Sequence, residues 1–336
     1  MFTDIIKGAQ RGLLVPAIFG QVATLHLHNH DRETEQAILA LVRRLACEAL
    51  ASGAGGLVAA FSPALWGHWR DRRIPVRREV LNGSPKLRDT GGDVLLYLKA
   101  KDADTAARLM DAVLPELERL STLLDVVAVG KRPDGRVIGG RYLDGITNPS
   151  DPVNLAADIL VDGEYRGACF GFTQKFLFDW DSIAAMAPDS EDAMIGRNPA
   201  GAMLPQGPHD GHVHRAHMLD TNGDNRKLLR QALPFGEQAG NAARENGLVF
   251  VAFCNEQPRF EAILNHLMGD MPDRPVDRLM SVVQGVAGSY WYVPAARELD
   301  VPAVDSLDAT VEEAHWRVRS AVSYTHLRAH ETLRHL

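Results

Sequence analysis

One carboxylate in this sequence stands inside a turn-forming segment, residues 139–149, with the sequence GGRYLDGITNP. Glycine and asparagine tolerate backbone angles that other residues resist, and Asn-Pro interrupts regular structure, so the segment predicts a loop. Such a loop would hold the Asp144 carboxylate in one fixed pose, where it could move a proton to or from a bound substrate. An ordinary Asp-Gly surface turn is the alternative interpretation.

A second group of reactive side chains consists of four histidines within nine positions. They are His209, His212, His214 and His217. A neutral imidazole can be the axial ligand of haem iron, and several imidazoles together can bind zinc or another transition metal. In a strand, residues two apart share a face, so an extended segment would point His212 and His214 the same way. A half-exposed polar histidine is the plain alternative for each.

A third chemical feature is Arg230, in the segment LRQALPFG at residues 229–236. Arginine is always charged and offers several donors, so it can stabilise a negative charge that develops on a substrate. On its own, this arginine would be interpreted as a loop or helix-end cation. The strand-like segment GLVFVAFC follows at residues 247–254.

Taken in this order, the segments resemble the dye-decolourising peroxidases, a family of haem enzymes, and especially their bacterial P-type subgroup. The family pattern is a GxxDG turn ending in T-x-N-P, then a histidine, then an arginine within RQ-x-LP-aromatic-G. Residues 194–197 (MIGR) and 288–292 (GSYWY) match later landmarks of the family. The resemblance extends from about residue 129 to residue 294. One departure is Arg141, which replaces the first glycine of GxxDG, although Gly140 lies beside it.

The resemblance implies one haem b per chain, with His212 as the axial ligand of its iron. His212 fits the family pattern of a small residue, histidine, two residues and arginine, because Arg215 follows at the required place. Counting back from GSYWY, the acidic partner of this histidine falls on Asp277, for which a helix-surface aspartate is the alternative. Arg197 and Arg215 are the implied partners of the haem propionates, although either could be a solvated surface cation.

The same resemblance implies that Asp144 and Arg230 lie on the opposite, distal side of the haem. Asp144 would move a proton between the two oxygens of peroxide, and Arg230 would stabilise the charge on the departing oxygen. Some relatives carry a polar residue two places after this arginine, where the present sequence has Ala232. The substitution predicts a distal side that is poorer in hydrogen bonds, with modest turnover.

The predicted function is therefore a haem peroxidase that reduces hydrogen peroxide and oxidises phenolic or dye-like donors one electron at a time. The first alternative is a haem protein without peroxidase activity, acting in haem storage, delivery or iron release. A transition-metal protein using the histidines of residues 209–217 is the second. Relatives commonly form dimers or larger rings, which predicts a homo-oligomer. Some P-type relatives carry a C-terminal tag for loading into encapsulin shells.

The composition restricts the class of protein further. The chain has 336 residues, of which 46% are hydrophobic and 24% charged, as in ordinary globular proteins. A net charge of −7 and a pI of about 6.0 argue against a non-specific nucleic-acid surface. No apolar run approaches the roughly 20 residues that a membrane span needs, and the N-terminus lacks signal-peptide features. The three cysteines form no CxxC pair and are expected to be buried hydrophobes. We therefore expect a cytoplasmic protein.

The first half of the chain shows a repeated strand–helix–strand pattern. Strands are predicted at residues 17–28, 57–61, 94–99 and 125–129. Asp31 is expected to cap a helix with an apolar stripe, and a second helix is expected over residues 103–120. A polar segment from residue 70 to 92 is interpreted as a surface excursion. The pattern predicts a ferredoxin-like half over residues 1–130, with helices on one face of an antiparallel sheet.

The second half, residues 131–300, is predicted to form a variant of the same ferredoxin-like arrangement and to bind the haem. Strands are expected at residues 157–161, 168–174, 248–253 and 290–293, with a hairpin turn at Asp162-Gly163. Helices are expected at residues 179–186 and 259–268, separated by a polar loop over residues 188–211. The fold class is therefore α+β. The resemblance adds two ferredoxin-like halves packed sheet to sheet, as in dimeric α+β barrels, with peripheral helices.

The C-terminal residues 322–336 are not interpreted as natural protein sequence. Residues 301–321 are expected to form a C-terminal extension. Residues 322–332, VSYTHLRAHET, correspond codon by codon to the in-frame read-through of a transposase-type sequencing adapter. We therefore interpret residues 322–336 as an artefact that has no packing partner, and any shell-targeting tag is illegible from this sequence.

Overall fold

A computed structural model describes ten segments of the chain. They are residues 8–15, 19–53, 55–74, 86–132, 134–148, 152–205, 209–218, 227–236, 246–269 and 275–303. The predicted adapter-derived tail at residues 322–336 and most of the predicted extension at residues 301–321 lie outside these segments. So does the middle of the predicted surface excursion at residues 70–92.

Ten strands are present in the described residues. They are β1 (Phe19–Leu27), β2 (Gly56–Phe61), β3 (Val94–Ala100), β4 (Ser121–Gly130), β5 (Arg136–Val137), β6 (Tyr142–Leu143), β7 (Cys169–Phe178), β8 (Leu229–Phe235), β9 (Gly247–Cys254) and β10 (Val283–Val293). Eight of them form one sheet in the order β4-β1-β3-β2-β10-β7-β9-β8, and β5 pairs with β6 separately. Every pairing is antiparallel.

Eleven α-helices accompany the strands in the same segments. They are α1 (Arg11–Leu14), α2 (Arg32–Ala51), α3 (Pro63–Trp69), α4 (Ala103–Asp111), α5 (Leu114–Leu120), α6 (Pro152–Ile159), α7 (Trp180–Ala184), α8 (Pro188–Ile195), α9 (His212–Ala216), α10 (Pro258–Leu267) and α11 (Ala296–Leu299). No described helix combines the length and the apolar character that crossing a bilayer would require.

The sheet confirms the α+β prediction and shows how the two halves join. Strands β1 to β4 form one group of four and β7 to β10 the other, and the two groups meet where Tyr292 of β10 pairs with Phe61 of β2. The end strands β4 and β8 share no ladder within the described residues, so the sheet is not a closed barrel.

The sheet curls so that the same face of both strand groups encloses a shared core. Its members come from both halves and include Val22, Val58, Leu95, Leu229, Val251 and Phe253. Polar bonds cross this core as well: the Tyr97 hydroxyl of β3 donates to Gln231 Oε1 of β8 at 2.8 Å. The two groups therefore pack face to face although they belong to one sheet.

Helices cover the opposite face, as the first half of the sequence predicts. Asp31 caps α2 by accepting from the Thr34 amide at 2.8 Å, which stabilises the exposed start of the helix. The buried stripe of α2 consists of Thr34, Ile38, Leu41, Val42, Leu45, Ala46 and Ala49. This stripe packs onto the outward-facing residues of β1, β2 and β3 in a second core. Cys47 lies on the exposed side of the same helix, so only Cys169 and Cys254 are buried as expected.

Several predictions of secondary structure were wrong. The single helix expected over residues 103–120 is two helices, because Pro115 at the start of α5 cannot continue α4. The strand expected at residues 157–161 overlaps α6, whose Leu155, Ala156 and Ile159 are buried with helical spacing. The Asp162-Gly163 hairpin is instead a 3₁₀ turn, Gly163–Tyr165. The polar loop expected over residues 188–211 contains α8.

One lysine lies fully inside the shared core. Lys99 of β3 is 0% exposed, donates to the Val15 carbonyl at 2.9 Å and lies 4.8 Å from the Tyr97 ring centroid. Burial lowers the pKa of Lys99 to about 7, and the charge of Lys131 contributes to the lowering. Because the unfolded chain binds this proton up to a pH of about 10.4, the lysine destabilises the fold increasingly as the pH falls from that value to about 7.

We expect Lys99→Met to raise the free energy of unfolding at pH 7 by about 1 kcal/mol or more, with a smaller gain at pH 10. The Val15 carbonyl loses its donor at every pH, so that cost does not alter the pH dependence. Urea unfolding of both proteins at several pH values measures the effect. Parallel stability curves for the two proteins between pH 7 and 10 would contradict the assignment.

Candidate functional site

The backbone of the Asp144 turn is specified by two residues that follow the carboxylate. Strand β6 leads into the turn, and the Asp144 amide donates to the Gly135 carbonyl at 3.0 Å. Gly145 has a φ of +75°, and a Cβ there would lie 3.0 Å from Asn148 Nδ2. The Asn148 amide donates to the Gly145 carbonyl at 3.0 Å and closes the turn. The glycine is therefore required both for its conformation and for space.

Side chains of this turn bond the outer edge of β8. Asn148 Nδ2 donates to the Arg230 carbonyl at 2.8 Å, and Asn148 Oδ1 accepts from the Arg230 amide at 3.1 Å. The Ala232 amide donates to Asp144 Oδ2 at 3.1 Å. Because β8 ends the sheet, its edge amides need partners from outside the ladder. The turn supplies them, which brings Asp144 and Arg230 together as predicted.

The Arg230 guanidinium is a cation with few hydrogen-bond partners in the described protein. It is partly buried, and burial lowers its pKa; the charge of Asp144 opposes this shift, whereas nearby Arg197 adds to it. In the described part of the chain, no carbonyl or side chain accepts a hydrogen bond from this guanidinium. Arginine stays charged even when buried, so the group is suited to an anionic or polar ligand.

Residues 196–201 link the Asp144 turn to the histidine helix. Gly196 ends α8 with a φ of +85°, and a Cβ there would lie 3.4 Å from His214 Nδ1. A Cβ on Gly201 would lie 3.1 Å from Ile146 Cδ1. Between these glycines, Arg197 donates to the Gly201 carbonyl at 2.6 Å, and burial lowers the pKa of Arg197. Arg197 therefore belongs to the same region as Arg230.

His212 is the first residue of α9 and has an acidic partner. Its Nδ1 lies 2.6 Å from Asp277 Oδ2, and the Asp277 side chain is 0% exposed. The other oxygen of Asp277 accepts from the Leu279 amide at 2.9 Å, which fixes the carboxylate. His212 Nε2 has no partner among the described residues. The predicted pairing of His212 with Asp277 is therefore present, with one ring nitrogen free to bind a metal.

The histidines do not form a metal cluster in the described residues. An extended segment would point His212 and His214 the same way, but α9 is a helix and that expectation was wrong. Residues two apart in a helix are about 200° apart around the axis, so the two rings diverge. His214 Nδ1 is buried without a hydrogen-bond partner in the described structure. This geometry favours one histidine ligand over the transition-metal alternative.

Arg215 is placed differently from the other predicted propionate partner. It is 4% exposed, its Nη1 lies 3.2 Å from His266 Nε2, and it also donates to the His266 carbonyl. These bonds join α9 to α10 and so orient the helix that carries His212. A contact of Arg215 with a propionate stays a prediction.

Arg141, which replaces the first glycine of the family's GxxDG pattern, pairs with two acidic residues of α8. The guanidinium of Arg141 lies 2.8 Å from Asp192 and 3.3 Å from Glu191. The neighbouring Tyr142 hydroxyl donates to Asp192 at 2.6 Å. The arginine therefore ties the entrance of the Asp144 turn to α8. Sequence reasoning could not identify this pairing, because the acidic pair lies about fifty residues away and belongs to a segment expected to be a loop.

The residues present fit a haem. His212 offers one free ring nitrogen backed by a carboxylate, which is the usual arrangement of a proximal ligand. Arg197 and Arg230 supply two partly buried cations. Val213, the residue after His212, packs against an apolar cluster whose members are Tyr142, Ile183, Met194, Ile195, Met280, Val282 and Val283.

Comparison with known proteins agrees with this geometry. Residues 137–298 match the family model described as Dyp-type peroxidase, C-terminal. The chain is 26% identical over 219 residues to the dye-decolorizing peroxidase of Mycolicibacterium paratuberculosis. That alignment covers 63% of this chain but only 60% of the relative, so the chain spans less than two thirds of that curated protein.

Solved structures show the same fold. A dye-decolorizing protein from V. cholerae superposes with a TM-score of 0.78 at 23% identity, covering 87% of this chain and 98% of that one. A single-residue variant of DypB from Rhodococcus jostii RHA1, solved in complex with heme, gives a TM-score of 0.77 at 21% identity over 87% of this chain and 98% of that one.

Proposed function

This chain belongs to the Dyp-type peroxidase family, and we propose that it is a haem-dependent peroxidase. It reduces hydrogen peroxide and oxidises phenolic or dye-like donors in one-electron steps. The His212–Asp277 pair carries the proposal, because a buried carboxylate 2.6 Å from Nδ1 leaves Nε2 available as an iron ligand. One haem b per chain is the cofactor.

On the proximal side, the chain's own residues hold and tune the ligand. Asp277 accepts a hydrogen bond from the Nδ1–H of His212, which selects one tautomer of the ring and raises the basicity of the other nitrogen. Arg215 and His266 attach α9 to α10 and limit the movement of the helix that carries the ligand. Arg197, near Arg230 and partly buried, would neutralise a propionate.

On the distal side, Asp144 and Arg230 act on the peroxide. Asp144 takes a proton from one peroxide oxygen and delivers it to the other, while Arg230 stabilises the negative charge of the leaving oxygen. A haem held by His212 would supply the redox chemistry, namely two electrons for cleavage of the O–O bond that two donor molecules would replace one at a time. With two protons taken up, one hydrogen peroxide yields two water molecules. Both side chains are partly shielded from solvent, which strengthens their electrostatic effect.

Haem reconstitution followed by a peroxide assay tests the proposal. We expect a Soret band at one haem per chain and peroxide-dependent oxidation of a phenolic donor. Stoichiometric haem binding without turnover would instead support haem storage, delivery or iron release. Zinc binding without a Soret band would support the metal-ion alternative. Either result would overturn the peroxidase proposal.

Three further features stay predictions. These are the homo-oligomeric state, the cytoplasmic location and membership of the P-type subgroup. Light scattering after gel filtration measures the first directly. Loading into an encapsulin shell would require a C-terminal tag, and co-expression with a shell protein tests whether this chain enters one.

A further inference from the structure

A cavity of about 590 Å³ lies where the two halves of the chain meet. Its lining comes from residues between 62 and 74, which include α3, from Gly91 and Gly92 ahead of β3, and from Ser289 and Tyr290 of β10. Both halves of the chain therefore contribute to it. Small-molecule sites usually occupy about 300–1,000 Å³, so the cavity has room for one small ligand.

The cavity is separate from the proposed haem site. Strand β10 begins at Val283, which belongs to the apolar cluster that Val213 packs against. Tyr290 lies seven residues further along the strand, a distance of about 20 Å at the rise of an extended chain. None of the residues predicted to bind haem or peroxide lines the cavity. A ligand held here would therefore not compete with the haem.

The charged residues of the lining are basic. They include His68, Arg72 and Arg73, and no aspartate or glutamate lines the cavity. The guanidinium of Arg72 is already paired with Glu298 at 2.6 Å, although its Nε is buried without an acceptor among the described residues. Arg73 is exposed, and its guanidinium has no partner in the described part of the chain. Asp71, in the same turn, is exposed and does not line the cavity. Arg73 is therefore a cation that is available to a ligand.

The rest of the lining is largely apolar. Ile74 and Tyr290 are 7% and 2% exposed, and Pro63 and Ala64 lie at the start of α3. Apolar surface gains free energy when it leaves water, so these residues favour a ligand with an apolar body. A guanidinium binds a carboxylate through two parallel hydrogen bonds. An unpaired arginine beside apolar and aromatic surface is therefore suited to an aromatic carboxylate.

We propose that this cavity is a binding site for a small aromatic carboxylate, whose negative charge pairs with Arg73 and whose ring contacts Ile74 and Tyr290. Binding at this site involves no haem and does not depend on the proposed peroxidase activity. Because the lining joins the two halves of the chain, the bound ligand stabilises the folded protein but not the unfolded one. The melting temperature therefore rises with ligand concentration.

Isothermal titration calorimetry of the full chain with benzoate, before and after loading with haem, measures this binding. We expect saturable binding of benzoate in both forms and a matching rise in Tm. Phosphate has the negative charge without the ring, and benzyl alcohol has the ring without the charge. Each should bind at least about tenfold more weakly than benzoate. Absence of benzoate binding, or phosphate binding as tight as that of benzoate, would overturn the proposal.

Substitutions locate the site, with circular dichroism to verify that each variant is folded. Arg73→Gln should weaken benzoate binding by about 10- to 100-fold, the usual effect of losing a hydrogen bond to a charged group. Arg73→Lys keeps the charge and should retain most of the affinity. Arg119→Gln is the matched control, because Arg119 of α5 is also exposed and without a described partner but lies outside the cavity.

Arg230→Leu distinguishes this cavity from the haem site, where a second cation could attract an anion. We expect this variant to bind benzoate as tightly as the unsubstituted chain does. Full benzoate affinity in Arg73→Gln, or loss of benzoate binding in Arg230→Leu, would show that the ligand does not occupy this cavity.

Discussion

Replacing His212 with alanine is expected to abolish stoichiometric haem binding. The substitution removes the imidazole whose Nδ1 is held by the fully buried Asp277 carboxylate and whose Nε2 is free in the described structure. Titration of the apo-protein with haem, followed at the Soret band, measures the loss. Added imidazole should restore part of the spectrum, because it can enter the space that the side chain leaves.

His214→Ala is the matched control, since it removes a neighbouring histidine from the same helix. Its ring diverges from that of His212 around the helix axis and is packed at Gly196. We expect this variant to bind haem with full stoichiometry. Asp277→Asn should weaken haem affinity by about 10- to 100-fold, as is typical when the partner of a metal ligand is changed. Loss of haem in His214→Ala with retention in His212→Ala would reverse the ligand assignment.

Removing the distal charges is expected to slow the reaction with peroxide while haem stays bound. Arg230→Leu should reduce the second-order rate constant by about 10² to 10³, because it deletes a partly buried cation whose donors have no other described acceptor. Asp144→Ala should reduce it by about 10² to 10⁴, the usual range for a positioned general base. Stopped-flow absorbance at the Soret band measures both.

Two comparisons make this test specific. Arg44→Leu removes an exposed arginine that pairs with Glu116 at 2.7 Å and should leave the rate unchanged. The Arg230 and Asp144 substitutions act on one proton-transfer and charge-separation event, so the double variant should lose less than the product of the two single effects. Unchanged traces in both single variants would remove this mechanism.

The sequence by itself determined most of the first half of the fold. Strands β1, β2 and β3 and helix α2 lie where local patterns predict them, because buried strands and an amphipathic helix have characteristic apolar spacings. Asp31 could be predicted as a helix cap from the sequence, because capping depends on residues three positions apart. The candidate residues of the site were predicted from the family pattern, which depends only on residue order and spacing along the chain.

Only the tertiary structure decided how those residues are arranged. The contacts of Lys131 with Asp144, of Asn148 with β8, and of Arg141 with Asp192 join positions 13, 82 and 51 residues apart. No local periodicity encodes such pairs. The conformation around His212 also needed three dimensions, because five residues are too few to distinguish a short helix from a strand by pattern. The helical conformation of α9 is specified by its packing against α10 and by the hydrogen bond between His212 and Asp277. Both partners lie more than fifty residues further along the chain.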